Sequence, residues 1–226
     1  MEIDPLSDAK IIESWGKNAR QWVIAVRDGQ IESRRQITDQ AILDAVLSRS
    51  PRSVLDIGCG EGWLARELAV ANIHVIGIDV VPGLVEVALH AGDGDFRVIS
   101  YEELAAGKLS VSVDVIVCNF ALLGKESVEG VFSAARMLLN QPGLFIIQTL
   151  HPVMVCGDLP YRDGWREGSW AGLNPDFTDP APWYFRTFES WTKLFVDSEF
   201  RLLEIREPIH PKTGKPASVI FVAEPV

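Results

Sequence analysis

"VLDIGCGEGWLARELA" (54–69) is the stretch on which the fold turns. An apolar run closes around an acid, Asp56, three glycines follow within five residues, and a helical pattern then begins. Gly58, Gly60 and Gly62 let the chain turn sharply off a strand. They also let backbone amides approach a ligand that a Cβ would hold away. A tight strand-to-helix turn that binds nothing would look the same, so the surroundings carry the reading.

Outward from that loop, strand and helix alternate. Strand patterns at 52–57, 73–79, 95–99, 112–119 and 143–149 enclose helical patterns at 61–70, 83–91, 102–106 and 127–139. "VDVIVCNF" (113–120) and "GLFIIQTL" (143–150) are continuous apolar runs, as expected of sheet interior covered on both faces. In 127–139, Val128, Val131, Phe132, Ala135 and Leu138 share one helical face. Such alternation means a parallel sheet with right-handed crossovers. "RLLEIREP" (201–208) and "ASVIFVAEP" (217–225) are joined by too few residues for a crossover, so they pair antiparallel at the sheet's end. The fold class is therefore α/β, seven strands, mostly parallel, with helices on both faces.

Helices at 8–29 and 38–48 precede the sheet, and Ile11, Trp15, Ala19, Trp22 and Val26 make a helical stripe on the first. After 150 the rhythm breaks. Residues 151–185 hold five prolines together with Tyr161, Trp165, Trp170, Trp183 and Tyr184. Disordered segments are poor in aromatics, and a connection this long is usually functional, so the insert is expected to form a lid walling an acceptor. A satellite core that holds the loop against the sheet is its plainer role. No linker or repeat divides the chain, which implies one domain over 1–226, with an N-terminal helical extension (1–50) and the lid insert (151–185).

The chain has 226 residues, 47% of them hydrophobic and 23% charged, which is globular composition. Its formal net charge is −10, and the nearest thing to a basic stripe, "RDGQIESRRQ" (27–36), is short and interrupted by acids. Nucleic acid is therefore not an expected partner. No apolar run reaches the roughly 18 residues of a membrane helix. The start "MEIDPLSDAK" lacks the order of a secretion signal, so no membrane partner and a cytoplasmic location are expected. Cysteines 59, 118 and 156 have no metal-ligand spacing, and no metal is expected.

Asp79 closes the second strand about twenty residues past the loop, where an acid accepts hydrogen bonds from ribose hydroxyls. Dinucleotides and other adenosine ligands share that feature. A dinucleotide loop, however, has a third glycine where this chain has Trp63, and a pyrophosphate would sit badly beside Asp56 and Glu61. A ligand carrying an ammonium and a sulfonium would be attracted to both acids. An NAD-dependent oxidoreductase is further disfavoured by the lack of a Tyr-x-x-x-Lys pair in the right place. A non-catalytic, nucleoside-binding partner protein stays open as the other alternative.

"VLDIGCGEGW" (54–63) resembles the first signature of the class I S-adenosylmethionine-dependent methyltransferases. "VIGIDVVPGLVEVA" (75–88) resembles their second, "VDVIVCNFALL" (113–123) their fourth, and "RMLLNQPGLFIIQTLHP" (136–152) the approach to their fifth strand. The likeness covers about 50–150 well and 186–226 in outline, and is to small bacterial, type 11/12-like members. It implies a Rossmann-like fold, S-adenosylmethionine as cofactor with S-adenosylhomocysteine as product, and a small-molecule acceptor methylated at oxygen or nitrogen by in-line displacement.

The resemblance also implies roles. Gly58, Cys59 and Gly60 would pass under the methionine part, with Asp56 helping to hold its ammonium through the loop or a water. Asp79 would take both ribose hydroxyls, with Val80 packing on the adenine. The family often has an acid after the third strand for the adenine amino group. This chain departs from that with Ser100 and Tyr101, of which Ser100 can still accept a hydrogen bond. Asn119 and Phe120 would end the fourth strand beneath the methyl, and Arg34 or Arg35 would meet the cofactor carboxylate unless they form only a solvated basic turn. Ligands of open α/β sheets lie beyond the carboxyl ends of the strands. His151 ends the fifth strand there, which makes it the first choice for a catalytic base or orienting group, with His210 in the hairpin second. A strand-end histidine bonded to a neighbouring carbonyl is the plainer reading of His151.

Overall fold

The strand around Asp56 is where the sequence puts it. The structure of the protein, a computed structural model, describes residues 3–92 and 94–226. Strand β1 (Ser53–Ile57) lies beside β2 (His74–Asp79), followed outward by β3 (Asp95–Val98). On its other side come β4 (Val113–Asn119) and β5 (Leu139–Thr149), and all five are parallel. A small sheet of β6 (Gly164–Arg166) and β7 (Trp183–Phe185) stands apart. The chain then returns as β8 (Phe200–Arg206) and β9 (Val219–Pro225), of which β9 pairs antiparallel with both β5 and β8. The order of the main sheet is β3-β2-β1-β4-β5-β9-β8, the seven-stranded, mostly parallel arrangement expected.

Successive strand residues point to opposite faces, and both faces here are apolar because both are covered. One layer gathers Leu55, Ile57, Ile78, Phe145 and Phe221 with Phe132, Trp191 and Phe195. These last three come from α6 (Glu126–Leu138) and α8 (Phe188–Asp197), which lie over that face with α5 (Tyr101–Ala105). The other layer joins Val54, Val75, Val115 and Ile146 to Ile42, Leu64 and Val85. Those belong to α2 (Asp39–Leu47), α3 (Trp63–Val70) and α4 (Pro82–Ala91). Strand order reverses between β1 and β4, which opens a crevice at the carboxyl ends of the strands.

Three local features differ from the sequence reading. Helix α1 (Asp8–Arg27) ends two residues earlier than 29, and Ser7 caps its start by accepting from the Lys10 N–H. Ahead of α2, Arg34–Thr38 wind as a π-helical turn, a wider coil that buries Thr38. The insert has regular structure of its own in α7 (Pro152–Cys156) and the β6–β7 pair. Among the described residues no helix is long and apolar enough to cross a membrane.

Candidate active site

The glycine loop bends back over β2. The N–H groups of Gly58 and Cys59 both donate to the Ile78 carbonyl, at 2.8 and 3.0 Å, and Gly58 and Gly60 hold φ of +75° and +57°. Asp79 ties this bend to the end of β2. Its Oδ2 accepts from the Gly60 N–H and its Oδ1 from the Val81 N–H, each at 2.9 Å. Each oxygen keeps lone-pair capacity beyond that single bond. Asp79 borders a cavity of about 380 Å³, in the size range of small-molecule sites.

The loop, Asn119 and Phe120 form the floor of this cavity, and α1 with part of the insert forms the roof. Ile11, Ile12, Trp15 and Trp22 face down from α1, and Trp170 and Leu173 from the insert. Trp15 meets Trp22 and Trp170 edge-on, with ring centroids 4.8 and 5.7 Å apart. The two roof pieces are fastened together. Lys10 and Lys17 both pair with Asp179, at 2.8 and 2.6 Å, and Asn18 exchanges hydrogen bonds with the backbone of Thr178 in both directions. Asp8 pins α1 to the far wall by accepting the Lys125 and Ser127 N–H groups at the start of α6, each at 2.8 Å.

The electrostatics are set by buried acids. Asp56 is 2% exposed, and burial first, then the charge of Asp79, pushes its carboxyl up to about 7 while Arg34 pulls the other way. Burial also raises Asp79, against the N–H groups of Val81, Gly60 and Val80 that favour its ionised form. Arg34 lies 4.9 Å over the Trp63 ring, and its Nε donates to Asp39 at 2.9 Å. Its Nη2 is buried without a partner, a costly state that a ligand oxygen would relieve. A Cβ on Gly60 would lie 3.8 Å from the Trp22 indole nitrogen, in the gap between loop and roof.

Of the residues expected to form the site, Gly58, Cys59, Gly60, Asp79, Val80, Tyr101, Asn119, Phe120 and Trp170 border the cavity. Several others need correction, beginning with Asp56, which is buried behind the glycine loop, does not itself border the cavity, and acts on a ligand there only through the loop or by its charge. Arg34 reaches the cavity and Arg35 does not, because the π turn carries Arg34 inward while Arg35 lies against Gly29. Ser100 is used locally. Its hydroxyl accepts the Glu103 N–H in a capping box that starts α5, and the adjacent Glu102 borders the cavity instead.

His151 is 4% exposed and turned away, its Nε2 2.7 Å from Glu207 and its ring edge-on to Phe188, while Leu150 before it faces the cavity. His210 lies in the exposed hairpin loop, its Nδ1 accepting the Lys212 N–H. Tyr161 accepts the Phe188 N–H, Trp165 packs on Tyr184, and Trp183 packs on Phe185, so these four aromatics hold the insert down and do not line the cavity. Glu61 is already paired with Arg27 and Arg66 and is not free to attract a cation.

The α1 stripe was legible as a stripe, but its partner was not, and Asp8, Ser127 and Glu102 gave no signal. No histidine borders the cavity among the described residues. The Tyr101 phenol, pushed well up by burial, donates to the Ala121 carbonyl, and the Cys59 thiol is likewise pushed well up. The cavity walls thus position and desolvate, and among the described residues no histidine stands on them to take a proton.

Residues 30–205 match the family described as "Methyltransferase domain". A ubiquinone biosynthesis O-methyltransferase from Xanthomonas axonopodis pv. citri is 34% identical over 114 residues, 48% of this chain and 47% of that protein. The chain thus spans about half the length of the curated relatives it matches. Among solved structures, Burkholderia thailandensis 1,6-didemethyltoxoflavin-N1-methyltransferase, with bound 1,6-didemethyltoxoflavin and S-adenosylhomocysteine, has a TM-score of 0.63. It is 18% identical, and the match covers 95% of this chain and 89% of that one. Magnesium protoporphyrin IX methyltransferase from Synechocystis, with bound S-adenosylmethionine, has a TM-score of 0.57 at 17% identity, covering 83% and 77%. These structural likenesses are likenesses of fold.

Proposed function

The chain belongs to the methyltransferase domain family, and from that premise we propose that it moves a methyl group from S-adenosylmethionine to a small molecule, releasing S-adenosylhomocysteine. The observation that carries this reading is a pair of complementary ends on one cavity. Asp79 offers spare acceptor capacity beside the glycine loop, and Arg34 carries a buried guanidinium nitrogen with no partner. A ligand with a ribose at one end and a carboxylate at the other satisfies both. The buried Asp56 beside the loop favours the ammonium of the same ligand over any phosphate.

Bound there, the cofactor supplies a methyl already activated on a sulfonium. Asp79 accepts from the ribose hydroxyls, Val80 and Tyr101 flank the adenine, and Glu102 accepts from its amino group. Gly58, Cys59 and Gly60 run beneath the methionine part, and Arg34 donates to its carboxylate. Asn119 and Phe120 end the floor at the acceptor side, where Trp15, Trp170, Ile11 and Ile12 exclude water. Alignment in a dry pocket supplies most of the acceleration for such a displacement. We read residues 1–226 as one catalytic unit, because the N-terminal extension and the insert supply the roof. Similar proteins include an O-methyltransferase and an N1-methyltransferase, which keeps both acceptor atoms in range. The net charge of −10 supports a small molecule over a nucleic acid.

Isothermal titration with S-adenosylhomocysteine, and with NAD in a parallel cell, tests the reading. Micromolar heat from the first and none from the second is expected. Heat from NAD alone would sink it. The same titration checks two finer points. Asp56 must be ionised to attract the ammonium, and its carboxyl titrates at about 7. Affinity therefore rises up to about tenfold from about pH 6 to about pH 8, and Asp56→Asn flattens the profile. Arg34→Ala weakens binding about tenfold or more, the worth of a charge-assisted hydrogen bond. Arg35→Ala changes it little, and equal losses in the two variants would unseat Arg34.

A further inference from the structure

Asn119 ends β4 against the cavity, and one end of its side-chain amide is already assigned. Gln148 sits directly across from it on β5 and is 0% exposed. The Gln148 Nε2 donates to the Thr38 carbonyl at 2.9 Å and to the Asn119 Oδ1 at 2.7 Å, while its Oε1 accepts from the Ser218 hydroxyl at 3.1 Å. A backbone carbonyl can only accept, so Thr38 dictates which way the Gln148 amide faces. Gln148 in turn dictates the facing of Asn119. With its oxygen committed, the end that Asn119 has left for the cavity is Nδ2, which only donates.

Each acid that borders the cavity already has a structural or ligand-holding use on the methyl-transfer reading. Asp8 ties α1 to α6 by accepting a backbone N–H with each oxygen, Asp79 holds the loop and spends its remaining capacity on the ribose, and Tyr101 is itself donating to Ala121. Glu61 is paired with two arginines, Cys59 and Asp56 are buried beside the loop, and Arg34 is a cation. Glu102 is exposed at the cavity's rim and, on the same reading, is taken up by the adenine amino group at the far end from the methyl.

We propose that Gln148 is a positioning residue that fixes Asn119 as a hydrogen-bond donor, which selects a weakly acidic acceptor, a phenol-like O–H or a ring N–H, bound as its anion. This rests on the methyl-transfer reading. The acceptor gives its proton to solvent water before transfer. Its lone pair then forms the bond to the methyl carbon as the carbon–sulfur bond breaks, and that bond's electron pair stays on sulfur. Asn119 Nδ2 stabilises the anion, since a hydrogen bond donated to a charged form favours that form.

Para-nitrophenol reports its own ionisation through the colour of its anion, so it is the probe, added to the protein with S-adenosylhomocysteine bound. In the wild-type protein the bound probe ionises about one pH unit below the free phenol, a roughly tenfold bias toward the anion. Gln148→Leu frees the Asn119 amide to rotate and loses most of that shift, while S-adenosylhomocysteine still binds. Asn119→Asp turns an acceptor to the cavity and drives the shift the other way. Ser218→Ala leaves the Thr38–Gln148–Asn119 relay intact and keeps the shift. The proposal is overturned if the wild-type probe ionises at or above the free phenol's pH, or if Gln148→Leu keeps the full shift. It is also overturned if the protein binds S-adenosylhomocysteine but no probe. Absence of S-adenosylhomocysteine binding is a different failure, bringing down the methyl-donor reading itself and the proposal with it.

Discussion

Asp79→Ala lowers the affinity for S-adenosylhomocysteine about a hundredfold or more. Two losses combine. Hydrogen bonds from hydroxyls to an ionised carboxylate are worth about 1.5–3 kcal/mol, and alanine removes them outright. The Gly60 and Val81 N–H groups also lose their acceptor, so the loop that lies beneath the ligand is no longer tied to β2. Asp79→Asn separates the two effects, because an amide oxygen can still hold one of those N–H groups while the charge is gone. Its loss should fall between alanine and wild type. A second consequence has a definite sign. The charge of Asp79 helps hold the Asp56 carboxyl up at about 7. Without it Asp56 ionises at lower pH, so whatever binding remains shows its pH step displaced toward acid. Titration over a pH series reads both effects, and unchanged affinity in the alanine variant would mean that the ribose end of the cavity is misassigned.

Gly58→Ala destabilises the protein by about 2–5 kcal/mol, the sum of backbone strain at positive φ and overpacking. The φ of Gly58 is +75°, which L side chains rarely adopt, and an added Cβ would lie 2.3 Å from the Ala121 Cβ and 3.0 Å from the Tyr101 hydroxyl. Ala121 follows Asn119 and Phe120, so relief of that clash moves the floor of the cavity as well. Gly107 offers the control. It has the same φ of +75° with nothing within 4 Å of its would-be Cβ, so Gly107→Ala carries the strain alone, about 1 kcal/mol. Chemical denaturation of both variants measures the difference. Equal losses would show that Gly58 is required for its φ and not for the close approach of the loop to Ala121.

Much of the frame could be read from the order of residues. Buried parallel strands need apolar side chains on both faces, and runs such as 113–120 and 143–150 display that directly. The antiparallel end followed from the brevity of the 209–216 connection. The glycine loop and Asp79 were legible for a related reason, since both depend on backbone reach over a short span between neighbouring parallel strands. The family's motifs lie on the same span.

The roof and the polarity of the site were not legible. Trp15 and Trp22 showed as a stripe, but a stripe does not name what it covers. Trp170, which meets Trp15 edge-on, lies far along the chain, held there by Asp179 and Thr178. His151 and Leu150 are adjacent, and one bend at the end of β5 sends Leu150 to the cavity and His151 to Glu207. The choice between Arg34 and Arg35 hung on a π turn whose wider winding rotates one side chain inward. Asn119 was legible as a strand end, but the atom it presents is set by a glutamine on β5 and a carbonyl before α2. Strand periodicity and glycine spacing act over neighbouring residues, so the chain displays them openly. Which side chain faces a cavity depends on contacts between segments distant in sequence, and those exist only once the sheet has brought the segments together.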